Sequence, residues 1–418
     1  MSDFPAGWEL AELGDVVEVL DSRRVPVNAK ERAVRPGDVP YYGATGQVGW
    51  IDEALFNEEL VLLGEDGAPF LDPAKPKAYL VDGPSWVNNH AHVLRALDGV
   101  TTNRFLRYAL DAADYRPHVN GTTRLKLTKK AMCAMPMRVP PLAEQERIVA
   151  ALDEHLSRLD VAGSALVSAR RRLALLAGAA METAFAAKSA PVLPIGDVAT
   201  VGSGSTPKRT DSRYWDHGAV PWVTSGALNS VVVREPSAFI TEAALKETSV
   251  KLWPAGTILV AMYGEGRTRG RAAELAFAST CNQACAAIQP DPSVLRPSFL
   301  RWFLNSRYQQ NRRLASGGVQ PNLSLGLVRA MAVPVPSLHE QDEIVASLEL
   351  SSELLKHLAE ELRVGRVRSE SLRRSVLAAA FSGQLVPQNH DDEPASVLLD
   401  RIRAERQAEP ARTRRARS

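Results

Sequence analysis

The feature that most constrains this chain is a stretch written twice. Val139-Pro140-Pro141-Leu142-Ala143-Glu144-Gln145-Glu146-Arg147-Ile148 returns as Val335-Pro336-Ser337-Leu338-His339-Glu340-Gln341-Asp342-Glu343-Ile344. Each copy then runs on without proline to a phenylalanine, Phe185 and Phe381. Proline can begin a helix but not sit inside one, so these entries mark where two long helices start. The first copy repeats by heptads, Leu152, Leu159, Leu166, Leu173 and Ala180, interleaved with Ile148, His155, Ala162, Ala169 and Leu176. The second gives Leu348, Leu355, Leu362, Ser369 and Val376, interleaved with Ile344, Ser351, Leu358, Gly365 and Leu372. A helix of about forty residues runs roughly 60 Å, more than one ordinary globular domain covers. The partner for one apolar seam is therefore the other, and the small residues Ala162, Ala169 and Gly365 suit a close antiparallel coiled coil.

The duplication extends outside the helices. Leu13-Gly14-Asp15-Val16 is echoed by Ile195-Gly196-Asp197-Val198, Val39-Pro40-Tyr41-Tyr42 by Val220-Pro221-Trp222-Val223, and Phe105-Leu106-Arg107-Tyr108 by Phe299-Leu300-Arg301-Trp302. Between these anchors the halves diverge. The expected order is a globular unit over 1–138, a long helix over 139–188, a second unit over 189–334, and a second helix over 335–383. A short C-terminal helix region (384–408) and a basic disordered tail (409–418) complete it. Within the units, short β-branched or aromatic runs at 15–20, 60–63, 86–94, 256–262 and 281–288 read as strands, and 102–113 and 297–313 as one short helix each. The fold class is α+β with an internal pseudo-twofold repeat.

The 418 residues carry a net charge of +2, too near neutrality to argue for or against nucleic acid. Three cysteines, Cys133, Cys281 and Cys285, make neither a disulfide framework nor a four-ligand zinc site. With no basic start followed by an apolar run, and no apolar stretch of bilayer length, a cytoplasmic protein is expected. Catalytic motifs are also missing: no Gly-x4-Gly-Lys-[Ser/Thr] loop, no Asn/Asp-Pro-Pro-Tyr/Phe, no serine with a histidine at a suggestive spacing. His90 and His92 alternate on an expected strand and could serve a metal given a third ligand, but packing or hydrogen bonding accounts for them as well.

The diverged loops instead mix aromatics with side chains that bond base edges or phosphates. The candidates are Thr45, Gln47, Thr123, Arg124 and Lys126 in the first unit, and Thr206, Lys208, Arg209, Thr224, Arg267, Arg269 and Gln320 in the second. Tyr41, Tyr42 and Trp222 sit either at a groove edge or in the core.

The doubled Pro-x-Leu-x-Glu-Gln-x-x-Ile entries, the Leu-Gly-Asp and Ile-Gly-Asp openings, and Phe381-Ser382-Gly383-Gln384-Leu385-Val386 leading to Glu393-Pro394-Ala395 together resemble the specificity subunits of type I restriction–modification systems. The resemblance covers nearly the whole chain. It implies a non-catalytic subunit whose two target-recognition domains each read one half of a split double-stranded DNA site. It also implies that the long helices dock two adenine methyltransferase subunits, to which restriction subunits add. No cofactor is expected on this chain; S-adenosylmethionine, ATP and magnesium belong to the partner subunits. Glu144-Gln145 and Glu340-Gln341 would act structurally in the first turn, near the positive end of the helix dipole, and touch those partners. An assembly scaffold without sequence readout, and a subunit of a methylation-only system, remain the alternatives.

Overall fold

The computed structural model describes residues 5–186, 190–263, 269–308 and 323–408. The chain divides into two compact units, Met1–Val167 with Arg363–Ser418, and Ser168–Leu362. Both divisions fall inside the long helices, Leu142–Phe185 and Leu338–Phe381, each 44 residues long.

In the first unit an antiparallel sheet runs in the order Val17–Val19, Ala91–Ala96, Leu60–Gly64, Ala78–Val81. Leu60–Gly64 is buried at every position, which explains its unbroken apolar run in place of alternation. A second sheet orders Gly46–Ile51, Val39–Gly43, Pro84–Val87 and Phe56–Asn57, with the middle pair parallel. Helix Asn103–Ala112 starts where the Thr102 side chain accepts the Phe105 N–H, and it buries Phe105, Leu106, Tyr108 and Leu110. Burying each large apolar side chain contributes about 1.5–3 kcal/mol.

The second unit repeats this plan. Its sheet runs Ala199–Ser203, Cys285–Pro290, Ile258–Ala261, Ala272–Leu275, and adds Val232–Val233 at the edge. The companion sheet is Ala238–Ile240, Val220–Val223, Thr280–Cys281, again with one parallel pair. Helix Pro297–Ser306 opens on a proline, as a first-turn position allows, and buries Phe299, Leu300, Phe303 and Leu304.

The doubled Glu-Gln entry fastens each unit to its helix. Gln145, fully buried, donates from Nε2 to the carbonyls of Val100 (2.8 Å) and Pro140 (3.0 Å) and accepts the Thr101 hydroxyl (2.8 Å). Gln341, equally buried, donates to Val294 (2.9 Å) and Pro336 (2.9 Å) and accepts the Arg296 N–H (2.8 Å). The glutamates differ. Glu340 stays exposed and accepts the N–H and hydroxyl of Ser337, a reciprocal cap. Glu144 turns inward, accepts Trp8 Nε1–H (3.0 Å) and Gln388 Nε2–H (2.7 Å), and burial raises its pKa. Gln145, Gln341 and Glu144 are thus sealed from any partner, so a direct contact is left only to Glu340.

Within each unit the two helices pair antiparallel. In the first, Leu166 lies against Gly365 and Asp160 bonds Arg373, while Leu152, Leu156 and Ala380 are buried. In the second, Leu173, Ala177 and Met181 line one groove with Leu355, Ser352 and Leu348. The expected interleaved column is met in part: Ile148, Ala169, Ile344, Ser351 and Gly365 are buried or half-buried. His155 and Ala162 are exposed, as are Leu176, Leu358 and Leu372, whereas Leu156, Ala177 and Ala184 face inward. A heptad seam can be completed at either of two neighbouring columns, and the one used carries small residues that let the backbones approach.

The second helix ends at Phe381. Gly383 takes φ +73°, Gln384 N–H bonds the Ala379 carbonyl (2.8 Å), and a Cβ at Gly383 would strike Pro5. The C-terminal helix Ala395–Ala408 then packs Ala395, Leu398 and Leu399 into the first unit's core. The basic run 409–418 lies outside the described residues. Among those residues no helix is long and apolar enough to cross a membrane.

Candidate nucleic-acid interface

In the first unit the candidate residues collect at one end of the sheets. Strand Val39–Gly43 turns at Ala44 and Thr45, and the Gly43 carbonyl accepts the Tyr79 hydroxyl. Beside it lies the turn 87–91, because Asn88 N–H bonds the Tyr42 carbonyl (3.1 Å). Glu65 N–H bonds the His90 carbonyl (2.8 Å), and Gly67 N–H bonds Leu125 (3.1 Å), which draws in the segment of Thr123, Arg124 and Lys126. Thr45, Gln47, Thr123, Arg124 and Lys126 are all exposed there. Gln47 Nε2 is turned back to the Gly49 carbonyl at 3.1 Å.

The cations at this rim have acidic partners. Asp66 holds both Arg124 (2.6 Å) and His90 (2.8 Å), and Glu65 holds Lys126 (3.2 Å) and Arg24 (2.7 Å). The pairs of the exposed Arg124 and Lys126 are worth about 0–1 kcal/mol, so an arriving phosphate can exchange for the carboxylate at small cost, whereas Arg24–Glu65 lies largely buried.

Behind the rim, His92 is saturated. Its Nδ1 lies 2.6 Å from Asp21 and its Nε2 2.9 Å from the Leu127 carbonyl. Asp21 also accepts the Val93 N–H and pairs with Arg24. Burial alone would raise the Asp21 pKa, but the His92 bond, the Val93 N–H and Arg24 outweigh it, and the pKa falls. Ligand atoms of Asp21, Glu65 and His92 lie within 4.8 Å of one another, as a metal would require. Arg24 is paired with both carboxylates and supplies the positive charge a metal would bring, so hydrogen bonding accounts for the histidine. His90 points elsewhere, to Asp66.

The second unit gathers its candidates around the equivalent turn, 281–285. Asn282 N–H bonds the Val223 carbonyl (2.9 Å), next to Thr224, whose hydroxyl meets Ser237 Oγ (3.2 Å). Ser205 N–H bonds the Cys281 carbonyl (2.8 Å), and the Thr206 hydroxyl donates to Gln283 Oε1. Lys208 and Arg209 follow, both exposed. The Arg209 guanidinium lies 3.9 Å from the Trp215 ring centre and 4.7 Å from that of Trp222. Such stacking holds a cation in place without a carboxylate. Arg269, half-buried, closes the adjoining hairpin, where Gly270 N–H bonds Ala261 (2.9 Å). Arg267 and Gln320 lie outside the described residues.

Of the aromatics left open, Tyr41 (1% exposed) and Trp222 (2% exposed) are core residues. Tyr41 exchanges hydrogen bonds with the Val27 backbone, and Trp222 Nε1–H bonds the Ser205 carbonyl. Tyr42 is half-buried against Tyr79.

The runs 86–94 and 281–288, read as single strands, are each two strands in different sheets, separated by the turns at Asn88 and Asn282. Asparagine bonds its own backbone two residues on and breaks the ladder there, as Asn88 Oδ1 does with His90 N–H (2.8 Å). The exposed Asn89 and Gln283 at these turns are absent from the candidates above. The signal was an Asn-Asn and an Asn-Gln pair interrupting an apolar run.

Two α+β units of one topology, each continued by a long helix, define a protein built by internal duplication. The chain belongs to the type I restriction-modification DNA specificity family, whose model matches residues 5–162 and 191–363. It is a specificity subunit of that kind. A type I restriction enzyme specificity subunit of Haemophilus influenzae is 26% identical over 371 residues, 87% of this chain and 92% of the relative. The EcoR124I/EcoR124II specificity subunit of Escherichia coli is 25% identical over 171 residues, 40% of this chain and 42% of its own. The fold matches that of the HsdS subunit from Thermoanaerobacter tengcongensis (TM-score 0.57, 18% identity, 91% of this chain and 98% of that one). It also matches a chain from a study of complex assembly and conformational transition in the type I R-M system (TM-score 0.70, 18% identity, 92% and 100%).

Proposed function

We propose that this specificity subunit reads a bipartite, asymmetric DNA site, one half per target-recognition unit, and carries methyltransferase subunits on its long helices. The observation that carries the reading is the repeated topology with an unrepeated arrangement of the rim side chains. The two rims hold their side chains differently, Arg124 and Lys126 paired with Asp66 and Glu65 at one, Arg209 stacked on Trp215 and Trp222 and Thr206 bonded to Gln283 at the other, so the two half-sites differ in sequence. Arginine and lysine supply phosphate contacts, while threonine and carboxamide side chains meet base edges.

Docking of partner subunits is supported by large apolar side chains left exposed on the helices. In the first unit these are Val161, Val167, Val367 and Leu372; in the second, Leu175, Leu176, Leu350 and Leu354. These side chains supply apolar surface on the helices that a docked subunit would cover.

The test is co-expression with the cognate methyltransferase subunit followed by genome-wide mapping of methylated adenine. A split motif with unlike halves and a constant gap is the expected result. A stable complex that methylates no defined motif would overturn the reading in favour of a scaffold.

A further inference from the structure

We infer that the side-chain amides of Asn89 and Gln283 are matching base-reading groups, each taking one adenine of its own half-site; this rests on the two-reader function proposed above. The two turns are the same object built twice. Val87 lies parallel to Tyr42, and Cys281 parallel to Val223. The next N–H, of Asn88 or Asn282, bonds the carbonyl of that same neighbour, Tyr42 or Val223. Two residues further on, the His90 carbonyl accepts Glu65 N–H and the Ala284 carbonyl accepts Met262 N–H, both at 2.8 Å. Ala91 and Cys285 then enter the ladder opposite Gly64 and Ala261.

In each turn the first residue is spent on the fold. Asn88, 8% exposed, accepts His90 N–H, and Asn282 accepts the Cys285 thiol (3.4 Å). The second residue is exposed in both and carries the same functional group, an amide, on a stem one methylene longer in Gln283. The backbone bonds that build each turn do not involve this outward side chain, so its repetition is not explained by the backbone plan. An amide offers a donor and an acceptor in one plane, the pattern that pairs with adenine N6 and N7 in the major groove. In the second unit the Thr206 hydroxyl takes one lone pair of Gln283 Oε1, which orients the plane and leaves the other lone pair and the Nε2 hydrogens to the ligand. Arg124 and Lys126 flank one turn, and Lys208 and Arg209 the other, where phosphate contacts would set the register.

The experiment uses the full chain co-expressed with its methyltransferase subunits, with methylated adenines mapped genome-wide for Asn89→Ala, Gln283→Ala, Asn89→Gln and Gln283→Asn. Asn89→Ala is expected to make one position of one half-site degenerate, with discrimination there falling about tenfold or more. Gln283→Ala is expected to do the same in the other half, and the conservative exchanges to retain adenine. An unchanged motif in both alanine variants overturns the inference, as does degeneracy of both in the same half. So does a lowered methylation level with every position still read, the mark of a structural or phosphate role. A variant that assembles but does not methylate is taken to binding selection from randomised duplexes, where a retained preference also overturns the inference. Failure of the wild type to give a split motif defeats the two-reader function itself, a result separate from all of these.

Discussion

Substituting Gln145 by alanine is the sharpest test of how the globular units are held to their helices. The change removes three hydrogen bonds and leaves two carbonyls, of Val100 and Pro140, and the Thr101 hydroxyl facing one another in a site closed to water. Each buried polar group left unmade costs about 1–3 kcal/mol, carbonyls at the lower end because they tolerate partial satisfaction. The sum expected is about 3–5 kcal/mol, including the cavity left by the side chain. Gln145→Leu keeps most of the volume, so its difference from alanine isolates the packing part. Gln341→Ala should cost at least as much, since it also orphans a backbone donor, Arg296 N–H. A whole-chain melt is the wrong readout, because two units need not unfold in one step. Amide exchange by mass spectrometry resolves them. Gln145→Ala should speed exchange about a hundred-fold or more in helix Asn103–Ala112 while leaving Pro297–Ser306 protected, and Gln341→Ala should reverse the pattern. A change under tenfold, or equal loss in both helices, would refute the claim that these glutamines are local fasteners.

Glu144 gives a pH signature. Its folded pKa is raised by burial above the ordinary 4.5, so the folded state binds the extra proton, and stability falls as pH rises from about 4.5 through the folded value. Glu144→Gln should remove that slope, read as the difference between the two proteins' urea midpoints across pH 4–7. Gly163 and Gly178 both lie in the first long helix with open space where a Cβ would stand, so alanine at either should stabilise that helix by about 1 kcal/mol in denaturant titrations. Arg209→Ala should weaken DNA binding about equally across sequences and lower the slope of log affinity against log salt by about one, measured by fluorescence anisotropy. Removing one heptad from both long helices should change the gap tolerated between half-sites or abolish binding; an unchanged gap would show that the helices do not set the spacing.

What the sequence disclosed was set by how each feature is encoded. The helix starts were legible because proline and the Glu-Gln pair mark them directly, and the structure opens the helices at Leu142 and Leu338. The packing column was not, because Leu152 and Leu159 are compatible with a second column through His155 or through Leu156, and only the facing helix decides. The turns at Asn88 and Asn282 were hidden inside apolar runs whose two strands belong to different sheets, a tertiary fact that periodicity does not carry. Tyr41 and Trp222 look alike on a rim or in a core until their hydrogen-bond partners, Val27 and Ser205, are seen.

The same turns explain how two readers can diverge while one scaffold persists. At both rims the bonds that place the loops run mainly between backbone atoms: Asn88 N–H to Tyr42, Asn282 N–H to Val223, Glu65 N–H to His90, Met262 N–H to Ala284. A backbone bond survives almost any side-chain exchange, so the outward residues are free to change. The fasteners are the reverse case, because Gln145 and Gln341 act through their side chains on carbonyls that no other residue type reaches in the same way. On the proposed function, selection for a new DNA sequence would act on positions such as Thr45, Asn89, Thr206 and Gln283 at little cost to stability, while a change at either fastening glutamine is expected to loosen the unit from its helix. On the same reading, specificity would change one half-site at a time, because the rim bonds described run within one unit or the other.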